Sequence, residues 1–136
     1  MKIFLGGTCN NSNWRNDLIP LLNCNYFNPV VENWTDECKL EEIKQRETCD
    51  IALYVLTPLT EGFYSIAELI SDCCQKSEGR VIFCLLEEDG GKVWTDKQKD
   101  SWESIKKMVT DNNQLVIDSG IEGVARYINF RSKYSK

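Results

Sequence analysis

Tyr64 and Glu68, four residues apart, are the side chains whose type and spacing in this chain best suit chemistry. They follow the apolar run Ile51 to Leu56 and the turn Thr57-Pro58-Leu59-Thr60-Glu61-Gly62. With about 100° allowed per residue, Phe63, Ile66, Ala67, Ile70, Cys73 and Cys74 share one side of a helix, and Tyr64 and Glu68 fall together off that stripe. A strand that leads through such a turn delivers the first helical turn to the crevice at the carboxyl edge of an open α/β sheet, where ligands bind. A carboxylate placed there can serve as nucleophile, base or acid. The same residues, Ser65-x-x-Glu68, also spell a capping box, in which the glutamate only satisfies an orphan N–H. Spacing admits both.

The inventory of side chains narrows the chemistry further. The 136 residues include no histidine, which removes Ser-His-Asp, Cys-His and histidine-ligated metal sites and leaves carboxylates as the acid, base or nucleophile. Seven cysteines, an odd number without a Cys-x-x-Cys, lie partly in apolar stretches such as Val81 to Leu86. They read as reduced packing thiols and not as zinc ligands. A net charge of -5 and a pI near 4.8 give no basic footprint for a nucleic acid polymer or an anionic membrane. No apolar run approaches the roughly 18 residues of a spanning helix. Gly6-Gly7-Thr8-Cys9-Asn10 also interrupts what a signal peptide would need, so the chain reads as cytoplasmic.

The elements that must position Glu68 follow from periodicity. Lys2 to Leu5 reads as a strand ending in Gly6-Gly7, and Asn13 as the cap of a helix through Leu22 that Pro20 kinks or breaks. Tyr26-Phe27 is a second strand, stopped by Asn28-Pro29. Thr35 or Asp36 caps a charged helix through about Glu47. Asp50 to Leu56 and Val81 to Leu86 are continuous apolar runs of the kind covered on both faces in parallel sheets. Thr95 to Val109 reads as a helix, Leu115 to Ile117 as a last strand, and Ser119 to about Arg131 as a final helix. Alternating strands and helices over residues 1–136 define an α/β fold in one domain. The expected architecture is a doubly wound, flavodoxin- or Rossmann-like sheet of about five mostly parallel strands with helices on both faces.

Other chemically suggestive groups have plainer readings. Glu37, Glu41, Glu42 and Glu47 form by default a solvated helix face. Gly6-Gly7 suits close approach of a ligand, though two glycines are a weak signal. Glu87-Glu88-Asp89-Gly90-Gly91 reads as a solvated turn at a strand end.

Over its first 90 residues or so the chain resembles the nucleoside 2-deoxyribosyltransferase family, in particular its short 2-deoxyribosyltransferase-like branch. The resemblance rests on the order and spacing of Ile3-Phe4-Leu5-Gly6-Gly7, Tyr26-Phe27-Asn28-Pro29 with Trp34, the helix ending at Cys49, Asp50-Ile51-Ala52-Leu53-Tyr54, and Ser65-Ile66-Ala67-Glu68-Leu69. It implies that Glu68 is the nucleophile and that Glu42, or its neighbour Glu41, assists as proton donor or orienter. It also implies that Gly6 and Gly7 approach the sugar or base and that Asn28 lines the pocket. Three departures stand out: Phe4 stands where many members carry Asp or Tyr in the first loop, Tyr64 and Ile66 occupy places where many carry Gly-x-Gly, and Glu42 replaces a more usual aspartate.

The implied reaction suits the residues present. Cleavage of an N-glycosidic bond passes through an oxocarbenium-like state that one carboxylate captures while a second carboxyl protonates the leaving base, with no cofactor and no metal. Tyr64, beside Glu68, would hold it in place. The expected substrate is a small deoxynucleoside or deoxynucleotide, and transfer and hydrolysis differ only in whether a second base or water resolves the intermediate. Two alternatives stand beside this reading: a non-catalytic nucleoside-binding module, and an interaction protein in which Glu68 is only a cap. A homo-oligomer, dimer or larger, is expected from the resemblance, with Tyr127, Phe130 and Tyr134 available to a neighbour.

Overall fold

The computed structural model describes residues 1–9 and 11–135. In chain order the elements are β1 (Lys2–Gly7), α1 (Trp14–Leu18), β2 (Asn25–Phe27), α2 (Asp36–Thr48), β3 (Ile51–Leu56), α3 (Tyr64–Gln75), β4 (Val81–Leu85), β5 (Glu88–Asp89), β6 (Lys92–Val93), α4 (Asp96–Asp111), β7 (Leu115–Val116) and α5 (Gly120–Tyr134). Five of the strands form one sheet in the order β2-β1-β3-β4-β7, and every pairing within it is parallel. The doubly wound expectation holds.

β3 is buried at every position, which is why it reads as an unbroken apolar run. Its side chains alternate between two layers. Ile51, Leu53 and Val55 pack with Trp14 and Leu18 of α1 and with Val124 and Ile128 of α5. Ala52, Tyr54 and Leu56 face Leu69 and Cys73 of α3 and Trp102 and Val109 of α4. The part of the chain beyond residue 88 belongs to this architecture, since β7 pairs with β4 and α5 closes the first layer.

The sheet creates one crevice by its winding. From β1 the chain passes to β2 on one side and then to β3 on the other. The carboxyl ends of β1 and β3 therefore lie side by side, with Gly7 opposite Val55, at the reversal of strand order where α/β sheets bind ligands.

Several local expectations need correction. α1 stops at Leu18, and Ile19–Leu21 tightens into a 3-10 turn with Pro20 near its start, because proline cannot donate the bond a continued helix requires. Phe63 is 80% exposed, because it precedes α3 as the N-cap residue and so leaves the buried stripe. Cys74 is exposed as well, so the buried face of α3 runs through Leu69, Asp72 and Cys73. The segment from Glu87 to Gly91 is part of a small antiparallel hairpin, β5 with β6. Gly90 (φ 59°) and Gly91 (φ 84°) supply the two positive angles of a type I′ turn.

Candidate active site

The loop after β1 forms one wall of the crevice, and backbone geometry fixes it. Gly7 sits at φ +119°, and a Cβ there would stand 2.0 Å from the Val55 carbonyl oxygen. Only glycine lets β1 end this close to β3. Beyond it, Thr8 donates its N–H to the Val55 carbonyl and accepts from the Thr57 N–H at its Oγ1, both at 2.9 Å. Arg15, only 5% exposed, braces the same loop from α1. Its Nε and Nη2 donate to the Leu5 carbonyl at 3.1 and 3.0 Å, and its Nη1 to the Thr8 carbonyl at 2.7 Å.

α3 forms the opposite wall, and its first turn is tied to that loop. Ser65 Oγ donates to the Gly7 carbonyl at 3.2 Å, and no side chain caps the helix N-terminus. The Ser65–Glu68 capping box is therefore absent. Glu68 is the fifth residue of α3, so it lies in the second turn and not the first. It is 8% exposed, and its carboxylate lines the cavity between the walls.

α2 closes the site with an unusual helix that has no buried side chain. Thr35 caps it by accepting from the Cys38 N–H at 3.2 Å. Glu41 points to solvent, where it accepts from Gln45 Nε2 at 2.7 Å. Glu42, one residue on, is half-buried and lines the cavity. Polar tethers, not apolar packing, hold this helix: Lys76 Nζ donates to the Arg46 carbonyl at 2.7 Å, near the helix C-terminus.

Two adjoining spaces meet at Glu42 and Glu68. The larger, about 340 Å³, is lined by Phe4, Gly6, Gly7 and Arg15 and by Pro29, Val30 and Trp34 of the segment after β2. The smaller, about 210 Å³, includes Lys39, Ile43, Arg46 and Tyr64. The structure thus brings Gly6, Gly7, Glu42 and Glu68 to one cavity, with Tyr64 at its annex. Both glycines line the space, but a Cβ on Gly6 would meet the Tyr54 ring at 2.8 Å, so protein and not ligand fills that position. Asn28 is not among the lining residues; its Oδ1 accepts from the Val30 N–H at 3.1 Å and shapes the loop. Tyr64 is 71% exposed and makes no hydrogen bond to Glu68 among the described residues.

The partner of Glu68 is Arg46, whose Nη1 stands 3.4 Å from Glu68 Oε2. Arg46 Nε lies 3.3 and 3.2 Å from the two Asp72 oxygens and its Nη2 lies 3.2 Å from Oδ1. Tyr54 then donates its hydroxyl to Asp72 Oδ2 at 2.5 Å. Burial pushes the Glu68 carboxyl up to about 7; Arg46 opposes this, while the charges of Glu42 and Asp72 add to it. Burial raises Glu42 too, against Arg46 and Arg15. Two carboxyls with raised proton affinity in one crevice form the arrangement expected of acid–base and nucleophilic work.

Sequence reasoning did not find Arg15, Arg46 or Asp72. Asp72 had little local signal: four residues beyond Glu68, it falls opposite the apolar stripe of α3, where an acid is ordinarily solvated. Arg15 and Arg46 had none, since a lone arginine on a polar helix is ordinarily solvated. Among the described residues no group of three or more Cys, Asp or Glu side chains is arranged to hold a metal ion. No helix among them is long and apolar enough to cross a membrane.

A family model described as nucleoside 2-deoxyribosyltransferase like matches residues 1–88, a span that includes both walls of the cavity and both carboxylates. The chain belongs to this nucleoside 2-deoxyribosyltransferase-like family. Neither the curated proteins nor the solved structures contain a match.

Proposed function

We propose that the protein cleaves the N-glycosidic bond of a 2′-deoxynucleoside or 2′-deoxynucleotide, with the 2-deoxyribosyl group passing through a covalent ester on Glu68. The observation that carries this reading is the pair Glu42 and Glu68, raised in proton affinity and facing one cavity at the β1–β3 reversal. In the first step a Glu68 oxygen attacks C1′, the C1′–N bond breaks, and Glu42 gives its proton to the departing base nitrogen. In the second, a nitrogen of another base or a water oxygen attacks C1′. Its proton passes to Glu42, and the Glu68 carboxylate is released. A base as acceptor makes the protein a transferase; water makes it a hydrolase.

Phe4, Val30 and Trp34 give the cavity an aromatic and apolar lining that suits a planar base, and the larger space is within the usual range for a small-molecule site. The reaction as drawn uses no cofactor.

One observation favours the reverse division of labour. Glu68 has the more strongly raised proton affinity, which suits an acid better than a nucleophile. The two assignments give opposite slopes of kcat/KM across neutral pH. If Glu68 is the nucleophile, the rate rises as pH passes through about 7 and the carboxyl ionises; if it is the acid, the rate falls.

The reading includes self-association. Phe130 and Tyr134 pack with ring centroids 4.9 Å apart and their planes tilted by 55°, and are 63% and 66% exposed, leaving an aromatic face near the C-terminus. Light scattering on the purified protein tests for a dimer or larger assembly.

The deciding assay is a panel of deoxynucleosides and deoxynucleotides, each with and without a free acceptor base. Base exchange supports transfer and base release supports hydrolysis. Binding with neither leaves a nucleoside-binding module.

A further inference from the structure

Resting on the reading of Glu68 as the reacting carboxylate, we infer that Arg46 is its positioning residue, with Asp72 and Tyr54 holding Arg46 in place while the Asp72 charge also bears directly on Glu68. Three elements meet in this chain of contacts. Arg46 comes from α2, Glu68 and Asp72 from successive turns of α3, and Tyr54 from the middle of β3. Among the described residues Arg46 is the ion-pair partner of Glu68, and no hydrogen bond otherwise holds that carboxylate.

The geometry explains why an arginine is used. A planar guanidinium presents several donors in a fixed fork, so one edge can serve Asp72 while the other faces Glu68. Asp72 is 4% exposed and takes three of the close contacts, which fixes the guanidinium plane. Tyr54 is fully buried, and burial followed by the Asp72 charge keeps its hydroxyl protonated, so it remains a donor to Asp72. Burial works against the Arg46 charge, but the Asp72 hydrogen bonds and neighbouring charges more than offset it. The cation is permanent. Because α2 buries no side chain, these contacts also set where Glu42 stands, since it is one turn before Arg46 on the same helix.

The charged and titratable groups around Glu68 are few. α2 contributes Lys39, Glu42 and Arg46, and α3 contributes Tyr64 and Asp72. β3 contributes Tyr54, α1 contributes Arg15, and the loop after β1 contributes Cys9. Of these, Arg46 favours the charged form of Glu68, whereas Asp72 and Glu42 oppose it. Removing Arg46 and removing the charge of Asp72 should therefore move Glu68 in opposite directions. A purely structural role for the pair would not do that.

The test reads Glu68 itself. Protein labelled with 13C at the glutamate side-chain carboxyl is titrated by NMR, and the Glu68→Gln variant assigns the resonance. Arg46→Gln is expected to raise the Glu68 midpoint by about one unit or more, the size of a lost neighbouring charge. Asp72→Asn is expected to lower it. If Arg46→Gln does not fold, Arg46→Lys keeps the charge without the fork and should still raise the midpoint by a smaller amount. An unchanged midpoint in Arg46→Gln, or in Arg46→Lys where only that variant folds, overturns the inference. The readout is independent of turnover. Opposite shifts without base release or exchange would support the clamp and sink the enzymatic reading. Turnover with a Glu68 midpoint indifferent to Arg46 would do the reverse.

Discussion

Ser65 gives its hydroxyl to the Gly7 carbonyl at 3.2 Å and not to the helix it opens. That bond joins the two walls of the cleft and leaves Glu68 without a capping duty. Ser65→Ala is expected to cost about 1 kcal/mol, the net worth of one hydrogen bond, in a urea unfolding curve. Activity should change little, because the hydroxyl does not touch Glu68. Loss of helix content in α3 on this substitution would argue for a cap after all.

Gly7, which lines the cavity, and Gly62, in the turn before α3, are opposite cases. Gly7→Ala forces a positive φ and puts a methyl on the Val55 backbone, so a loss of more than about 3 kcal/mol, or failure to fold, is expected. A Cβ on Gly62 meets nothing within 4 Å and its φ is not in the left-handed region. Gly62→Ala should be neutral, or stabilising by about 0.5 kcal/mol through the unfolded chain. Denaturant midpoints of the two variants check both.

Stability should report Glu68 directly. Its carboxyl holds a proton up to about 7 in the fold, above its ordinary value near 4.5, so the folded state favours the protonated form. That contribution is fully present below about 4.5 and is lost as pH rises through 7. Relative to Glu68→Gln, the wild type should therefore lose on the order of 2 kcal/mol between pH 4.5 and 8. Paired urea titrations at those two pH values measure the difference. A pH-independent difference would mean that Glu68 is solvated and ordinary.

The thiols should divide by burial. Cys9 and Cys74 are exposed and should alkylate in the native protein. Cys49, Cys73 and Cys84 are buried, and burial pushes the last two thiols up to about 12, so they should resist until unfolding. Mass spectrometry after native alkylation without reductant reads the pattern. Two or more disulfides in fresh material would contradict the packing.

What the sequence disclosed was local, and what it hid was long-range. β3 and β4 announced themselves as apolar runs because both of their faces are covered. α4 opens on the capping box that Ser65 and Glu68 do not form, with Thr95 and Gln98 at the same spacing. Spacing could not distinguish those two boxes, because the rival acceptor for Ser65 is the Gly7 carbonyl, 58 residues away. Arg46 and Asp72, 26 residues apart, were invisible for the same reason. The hairpin at Glu88–Val93 was missed because strands of two residues carry no periodicity; only Gly90-Gly91 marked it.

A 2-deoxyribosyl group carried on Glu68 can be trapped and weighed. Protein mixed with a deoxynucleoside, quenched in acid within the first turnover and digested, should yield the α3 peptide heavier by one 2-deoxyribosyl unit, with fragmentation placing it on Glu68. Glu68→Gln should give the same peptide unmodified and lose base exchange or release. An adduct on Glu42, or turnover that survives in Glu68→Gln, would contradict the account.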